Sequence, residues 1–82
     1  MRITKIERAD PKGLYHIEAR TQNGRVWRLF AFDPSHKGRQ RAWRKHVEED
    51  GRVLWEQLTA PDSLIKAARQ AVLVASKEAG RF

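Results

Sequence analysis

The sequence predicts an α+β domain: a three-stranded antiparallel sheet (β-β-β) followed by two C-terminal helices packed on one of its faces. Three observations carry that expectation. Residues 2–32 hold short runs of Ile, Val, Tyr, Phe and Trp separated by Gly- and Pro-bearing turns, as in a β-meander. Asn23-Gly24 stands between two such runs, and Asn-Gly favours a two-residue hairpin because a type I′ turn needs positive φ at both positions. Further along, Trp43, Val47, Leu54 and Leu58 fall at separations of four, seven and four, which fit one helical stripe. The 82 residues make one small domain, with the meander over 1–33 and the helical part over 34–82.

The first strand is expected over residues 2–9. Ile3 and Ile6 do not share a period-2 face, which leaves room for a bulge between them. Asp10-Pro11-Lys12-Gly13 reads as a tight turn, with Pro11 at its second position and Gly13 as the permissive residue. Residues 14–20 and 25–32 are the second and third strands. With Asn23 and Gly24 as the whole turn, Arg20 faces Trp27, Glu18 faces Leu29, Ile17 faces Phe30 and Tyr15 faces Phe32. Tyr15, Ile17, Ala19, Val26, Phe30 and Phe32 then form the core face, with Arg28 among them. His16, Glu18, Arg20, Trp27, Leu29 and Ala31 form the outer face. A slip of one residue would keep these same-strand sets and change which are paired.

Asp33-Pro34-Ser35 ends the sheet. Asp50-Gly51 interrupts the stripe from Trp43 to Leu58. Either one helix spans residues 39–58 with a tolerated Gly, or Asp50 caps a second piece. Two segments or one kinked helix are expected, with a short strand at 52–55 as the lesser alternative. Thr59-Ala60-Pro61-Asp62 then opens the last helix, Thr59 as its cap, Pro61 in the first turn and Asp62 at the capping-box position. Leu64, Ala68, Ala71, Val72 and Ala75 make its apolar stripe, with Ile65 at the edge and Gly80 as the stop. Its small Ala residues allow close approach to the sheet or to another helix, so it also offers a surface for a homodimer.

Composition narrows the function. Seventeen Lys/Arg against 10 Asp/Glu give a net charge of +7, and the pI is near 10.6. That balance favours nucleic acid, acidic protein surfaces or anionic lipid as partners. The chain has no Cys, hence no disulfide, thiol nucleophile or Cys-based zinc site. The longest apolar run, Ala71–Ala75, is far too short to span a bilayer, and the first residues lack the apolar core of a signal peptide. A soluble, cytoplasmic protein without a membrane partner is expected.

Two basic constellations are candidate sites. Residues 36–46 pack five Lys/Arg, two His and one Trp with no acid. On a helix, Lys37, Arg41, Arg44, Lys45 and Glu48 would share one side, with Arg39 in the same stretch, while Trp43 and Val47 turned to the core. Such a row can neutralise phosphates and release their counterions. On the outer sheet face, Trp27 with Arg20, Arg25 and His16 makes a stacking platform with phosphate clamps, and Arg28 lies on the same hairpin. The same residue types are enriched in protein-binding hot spots.

Little in the chain suggests catalysis. His16, His36 and His46 are scattered with no His-x-x-x-His pair, so neither metal nor cofactor is expected. Ser35, Ser63 and Ser76 lack a nucleophile-elbow context, and no Gly-rich phosphate loop occurs.

Gly13-Leu14-Tyr15-His16-Ile17, followed by Arg25-Val26-Trp27-Arg28-Leu29-Phe30-Ala31-Phe32, locally resembles the central hairpin of RelE-like ribonuclease toxins. The resemblance covers residues 13–32. It implies basic sheet residues that contact and cleave ribosome-bound messenger RNA. The chain departs from that family in lacking its leading helical hairpin and in having basic residues 37–45 where a further apolar strand would follow. Glu18 stands where the family's hairpin usually has Arg.

The favoured reading is a small basic, non-enzymatic module that binds DNA or RNA through Lys37, Arg39, Arg41, Arg44, Lys45, Arg20, Arg25, Trp27 and Arg28. The alternative is a phage- or plasmid-type interaction protein that docks on an acidic surface of a host protein and inhibits it. A ribonuclease toxin is the minor alternative.

Overall fold

The computed structural model describes residues 1–9 and 13–79. Five antiparallel strands lie side by side in chain order: β1 (Arg2–Arg8), β2 (Tyr15–Arg20), β3 (Val26–Phe32), β4 (Arg41–Val47) and β5 (Val53–Thr59). One helix, α1 (Asp62–Ala79), follows. The expected three-stranded sheet with two helices is therefore corrected. The stretch assigned to the first helix is the β4–β5 hairpin.

The reason lies at Asp50-Gly51. The Glu48 N–H donates to the Arg52 carbonyl at 2.8 Å, and the Gly51 N–H donates to the Glu48 carbonyl at 2.9 Å. Gly51 has φ +86°. This is a short hairpin loop closed by a left-handed glycine, for which Asp-Gly is as strong a signal as Asn-Gly. The four-residue spacings that suggested a helix are even numbers, so they fit a strand equally well. Trp43 and Val47 share one face of β4, while Leu54 and Leu58 share the opposite face of the sheet on β5. The strand considered at 52–55 is the first part of β5.

At the β2–β3 turn the hairpin is present but its loop is one residue longer than expected. The Thr21 N–H donates to the Arg25 carbonyl, and the Gly24 N–H to the Thr21 carbonyl, both at 3.0 Å. Gly24 alone supplies the left-handed backbone, at φ +82°. Arg20 therefore faces Val26, Ala19 faces Trp27, Glu18 faces Arg28 and Ile17 faces Leu29. The slip turns Trp27 and Leu29 inward and Val26, Arg28 and Phe30 outward, opposite to expectation. Tyr15 still faces Phe32, because β3 holds an extra residue between Leu29 and Phe32. Ala31, at φ +55°, lies in that bulge.

The bulge between Ile3 and Ile6 is present. The β1–β2 register shifts between Ile3 and Lys5, so Ile3 pairs with Ala19 and Ile6 with Ile17, and both pack against the core. Gly13 has φ +87°, while the turn residues Asp10 to Lys12 lie outside the described residues.

The core forms on one side of the sheet. Ile17, Ala19, Trp27, Leu29, Phe32 and Ala42 are buried there with Leu64, Ala68 and Val72 of α1. The helix stripe is as expected, with Leu73 and Val74 exposed on its far side. Its start differs. Thr59 ends β5, and the Pro61 carbonyl accepts from Leu64 at 3.0 Å and from Ile65 at 3.1 Å, so Pro61 takes the cap position. Asp62 keeps its place in the first turn, where it favours the helix dipole. Gly80 lies outside the described residues. No described helix is long and apolar enough to cross a membrane.

Candidate nucleic-acid interface

The helix packs beside β1 and β2 on the core side, and α1 is the one helix among the described residues. The opposite sheet face is left bare by the described residues. Alternation decides what it carries. Arg2, Lys5 and Glu7 of β1 pair with Arg20, Glu18 and His16 of β2. Val26, Arg28 and Phe30 follow on β3. Arg41, Trp43, Lys45 and Val47 follow on β4, and Val53, Trp55, Gln57 and Thr59 on β5. The cations Arg2, Lys5, Arg20, Arg28, Arg41 and Lys45 thus share one face with two carboxylates, Glu7 and Glu18.

Aromatic rings fill the middle of this face. Phe30 meets Trp43 edge to face, with centroids 5.1 Å apart and planes at 77°. His16 meets Phe30 at 5.6 Å and 71°. Phe30 is 48% exposed, and Trp43 and Trp55 are half-buried.

Arg28 joins the two halves of the face. Its Nε lies 3.3 Å from Glu18 Oε1. Its guanidinium carbon lies 4.4 Å from the centre of the Trp55 ring, reaching over β4 to do so. Burial pushes the Glu18 carboxyl up. Hydrogen bonds from Arg28 and Thr4 and the charges of Arg28 and Arg20 outweigh it and hold the carboxyl below its ordinary value. Thr4, the bulge residue of β1, puts its hydroxyl 3.2 Å from Glu18 Oε2. Lys5 Nζ lies 3.8 Å from Glu7. Arg20, Arg41 and Lys45 make no ion pair with any described residue, which leaves their charge available to a partner.

A groove of about 240 Å³ runs among Lys5, Glu7, His16, Glu18, Arg28 and Phe30. It is open to solvent along the face, as is the wider depression of about 510 Å³ beside Arg20, Val26 and Lys45. The surface suits a ligand that lies across it. Among the described residues no cluster of three His, Cys, Asp or Glu side chains suits a metal ion.

The structure disperses the expected site residues. Arg20, Arg28, Arg41 and Lys45 come together on the bare face. Trp27 is core, and Arg44 lies on the core side of β4, 5.7 Å over the Trp27 ring and 2.9 Å from Glu56. Arg25 sits at the β2–β3 turn, and Lys37 and Arg39 are exposed in the β3–β4 loop. The row of Lys37, Arg41, Arg44 and Lys45 does not exist, because alternation on a strand puts Arg44 opposite Arg41 and Lys45. The sequence places Phe30 inward and Trp43 and Trp55 on a helix, and does not single out Arg2 or Lys5. The signals for the first three were the Gly24 loop length and the Asp50-Gly51 hairpin.

Comparison with protein-family models, with curated proteins and with solved structures finds no match for the chain.

Proposed function

We propose that the chain is a small, non-enzymatic nucleic-acid-binding module acting through the bare sheet face, in the cytoplasm. One observation carries this reading: six cations against two carboxylates surround the exposed Phe30 ring and the half-buried Trp43 and Trp55 rings on a face that no described element covers. Lys and Arg spaced over such a surface neutralise successive phosphates, and each contact adds to the salt dependence of binding. Aromatic and Arg groups also make protein hot spots, but those depend on a nearly neutral centre. The cation excess here favours a polyanion.

The test is a binding titration with oligonucleotides at low salt, repeated as salt rises. Affinity falls linearly on a log–log plot, and Arg20→Ser, Arg41→Ser and Lys45→Ser together flatten the slope by about 2–3. If the protein binds neither DNA nor RNA at low salt, the reading fails and a protein partner is the remaining class.

A further inference from the structure

We infer that the bare sheet face takes unpaired nucleic-acid strands, stacking their bases on Phe30, Trp43 and Trp55, and discriminates against duplexes. This rests on the nucleic-acid reading above and adds the form of the ligand. A T-shaped contact covers one face of one ring, so the Phe30–Trp43 pair leaves ring surface open. The Arg28 guanidinium lies over the Trp55 ring, so a base stacks there on the outer plane of the guanidinium or in its place. With His16 the rings lie on four adjacent strands, which at about 4.8 Å spacing span about 14 Å. Aromatic side chains across a four-stranded sheet stack two or three bases. The bases of a duplex are stacked on each other and present only their edges. Side-chain rings reach the π-face of a base only where the strand is splayed.

The cations flank this row. Arg2 and Arg20 are paired across β1 and β2. Arg20, Val26 and Lys45 line one shallow depression beside Trp55, the cross-strand partner of Lys45. Arg41 lies on β4 two residues from Trp43. A strand laid over the rings thus meets Arg2, Arg20 and Lys45 on one side and Arg41 on the other. Ring faces and phosphates belong to DNA and RNA alike, so the occupant is a single strand of either sugar.

The experiment titrates the intact protein, at low salt, with oligo-dT, oligo-U and a DNA duplex of the same length, about 15 nucleotides to exceed a small binding site. Anisotropy and tryptophan emission are both read. Single strands bind about tenfold more tightly than the duplex and quench the emission, and the two single strands agree within about threefold. Trp55→Ala weakens single-strand binding by about tenfold, the effect of one lost stack, and weakens duplex binding by much less. Trp43→Phe and Trp55→Phe keep a stacking ring and keep binding, which guards against an alanine variant that fails to fold. Duplex binding as tight as single-strand binding, or binding without quenching, overturns the inference and leaves the nucleic-acid reading standing. No binding to any of the three overturns both.

Discussion

Gly51 and Gly24 each hold φ above +80° in hairpin loops, and any other residue there adopts a left-handed backbone at a cost of about 1–2 kcal/mol. Gly51→Ala is therefore expected to destabilise the protein by that amount in urea unfolding. In a helix the same change would stabilise by about 1 kcal/mol, so its sign separates the hairpin from the helix that residue spacing suggests. At Glu18 the sign of pH dependence is fixed by a carboxyl held below its ordinary value. Its contribution to stability is present above the unfolded-state pKa and is lost as pH falls through the folded-state pKa. Glu18→Gln removes that contribution. It costs about 1 kcal/mol or less at neutral pH, as for other partly exposed pairs, and the gap from the parent protein closes in acid unfolding curves. The same change removes one of two acids from the bare face and raises affinity for a polyanion.

At the scale of elements, α1 is held by a stripe of Leu64, Ala68 and Val72. Leu64 is 1% exposed. Leu64→Ala is expected to cost about 2–5 kcal/mol. Leu73→Ala, on the exposed side, stays within about 0.5 kcal/mol. Thermal or urea unfolding of the two variants checks the orientation of the helix. This stripe was legible because its three- and four-residue spacings include odd numbers, which no strand face allows. The β1 bulge was legible for a similar reason, since Ile3 and Ile6 cannot otherwise share a face. The β4–β5 hairpin is hidden in the sequence, because Trp43–Val47 and Leu54–Leu58 are four apart and fit both periods. The β2–β3 register was missed by one residue. Asn-Gly announces a hairpin, but both a two-residue loop and a longer loop ending in left-handed Gly accept it. The choice between them decides which face Trp27 and Phe30 take.

The whole molecule is a single twisted sheet with a helix on one side. Its extents are 47 × 25 × 22 Å, and its radius of gyration is 13.5 Å, against about 12 Å for a compact domain of this length. An 18-residue helix is about 27 Å long and roughly 10 Å wide, enough for part of one face. No described element covers the other face, and it gathers basic residues from four strands. The net charge of +7 is legible in the sequence and favours an anionic partner. The position of the site did not show, because it depends on five strands alternating in register. Residues 36–46, the densest basic stretch, divide among a loop and two faces of β4.

Mapping of backbone amide and tryptophan indole shifts by NMR, during titration with a short single-stranded oligonucleotide at low salt, tests the central claim most directly. Perturbations are expected at Arg20, Arg28, Phe30, Trp43, Lys45 and Trp55, with the Leu73–Val74 side of α1 unmoved. Perturbations centred on α1 or on the Lys37–Arg39 loop, with the sheet face silent, would contradict it.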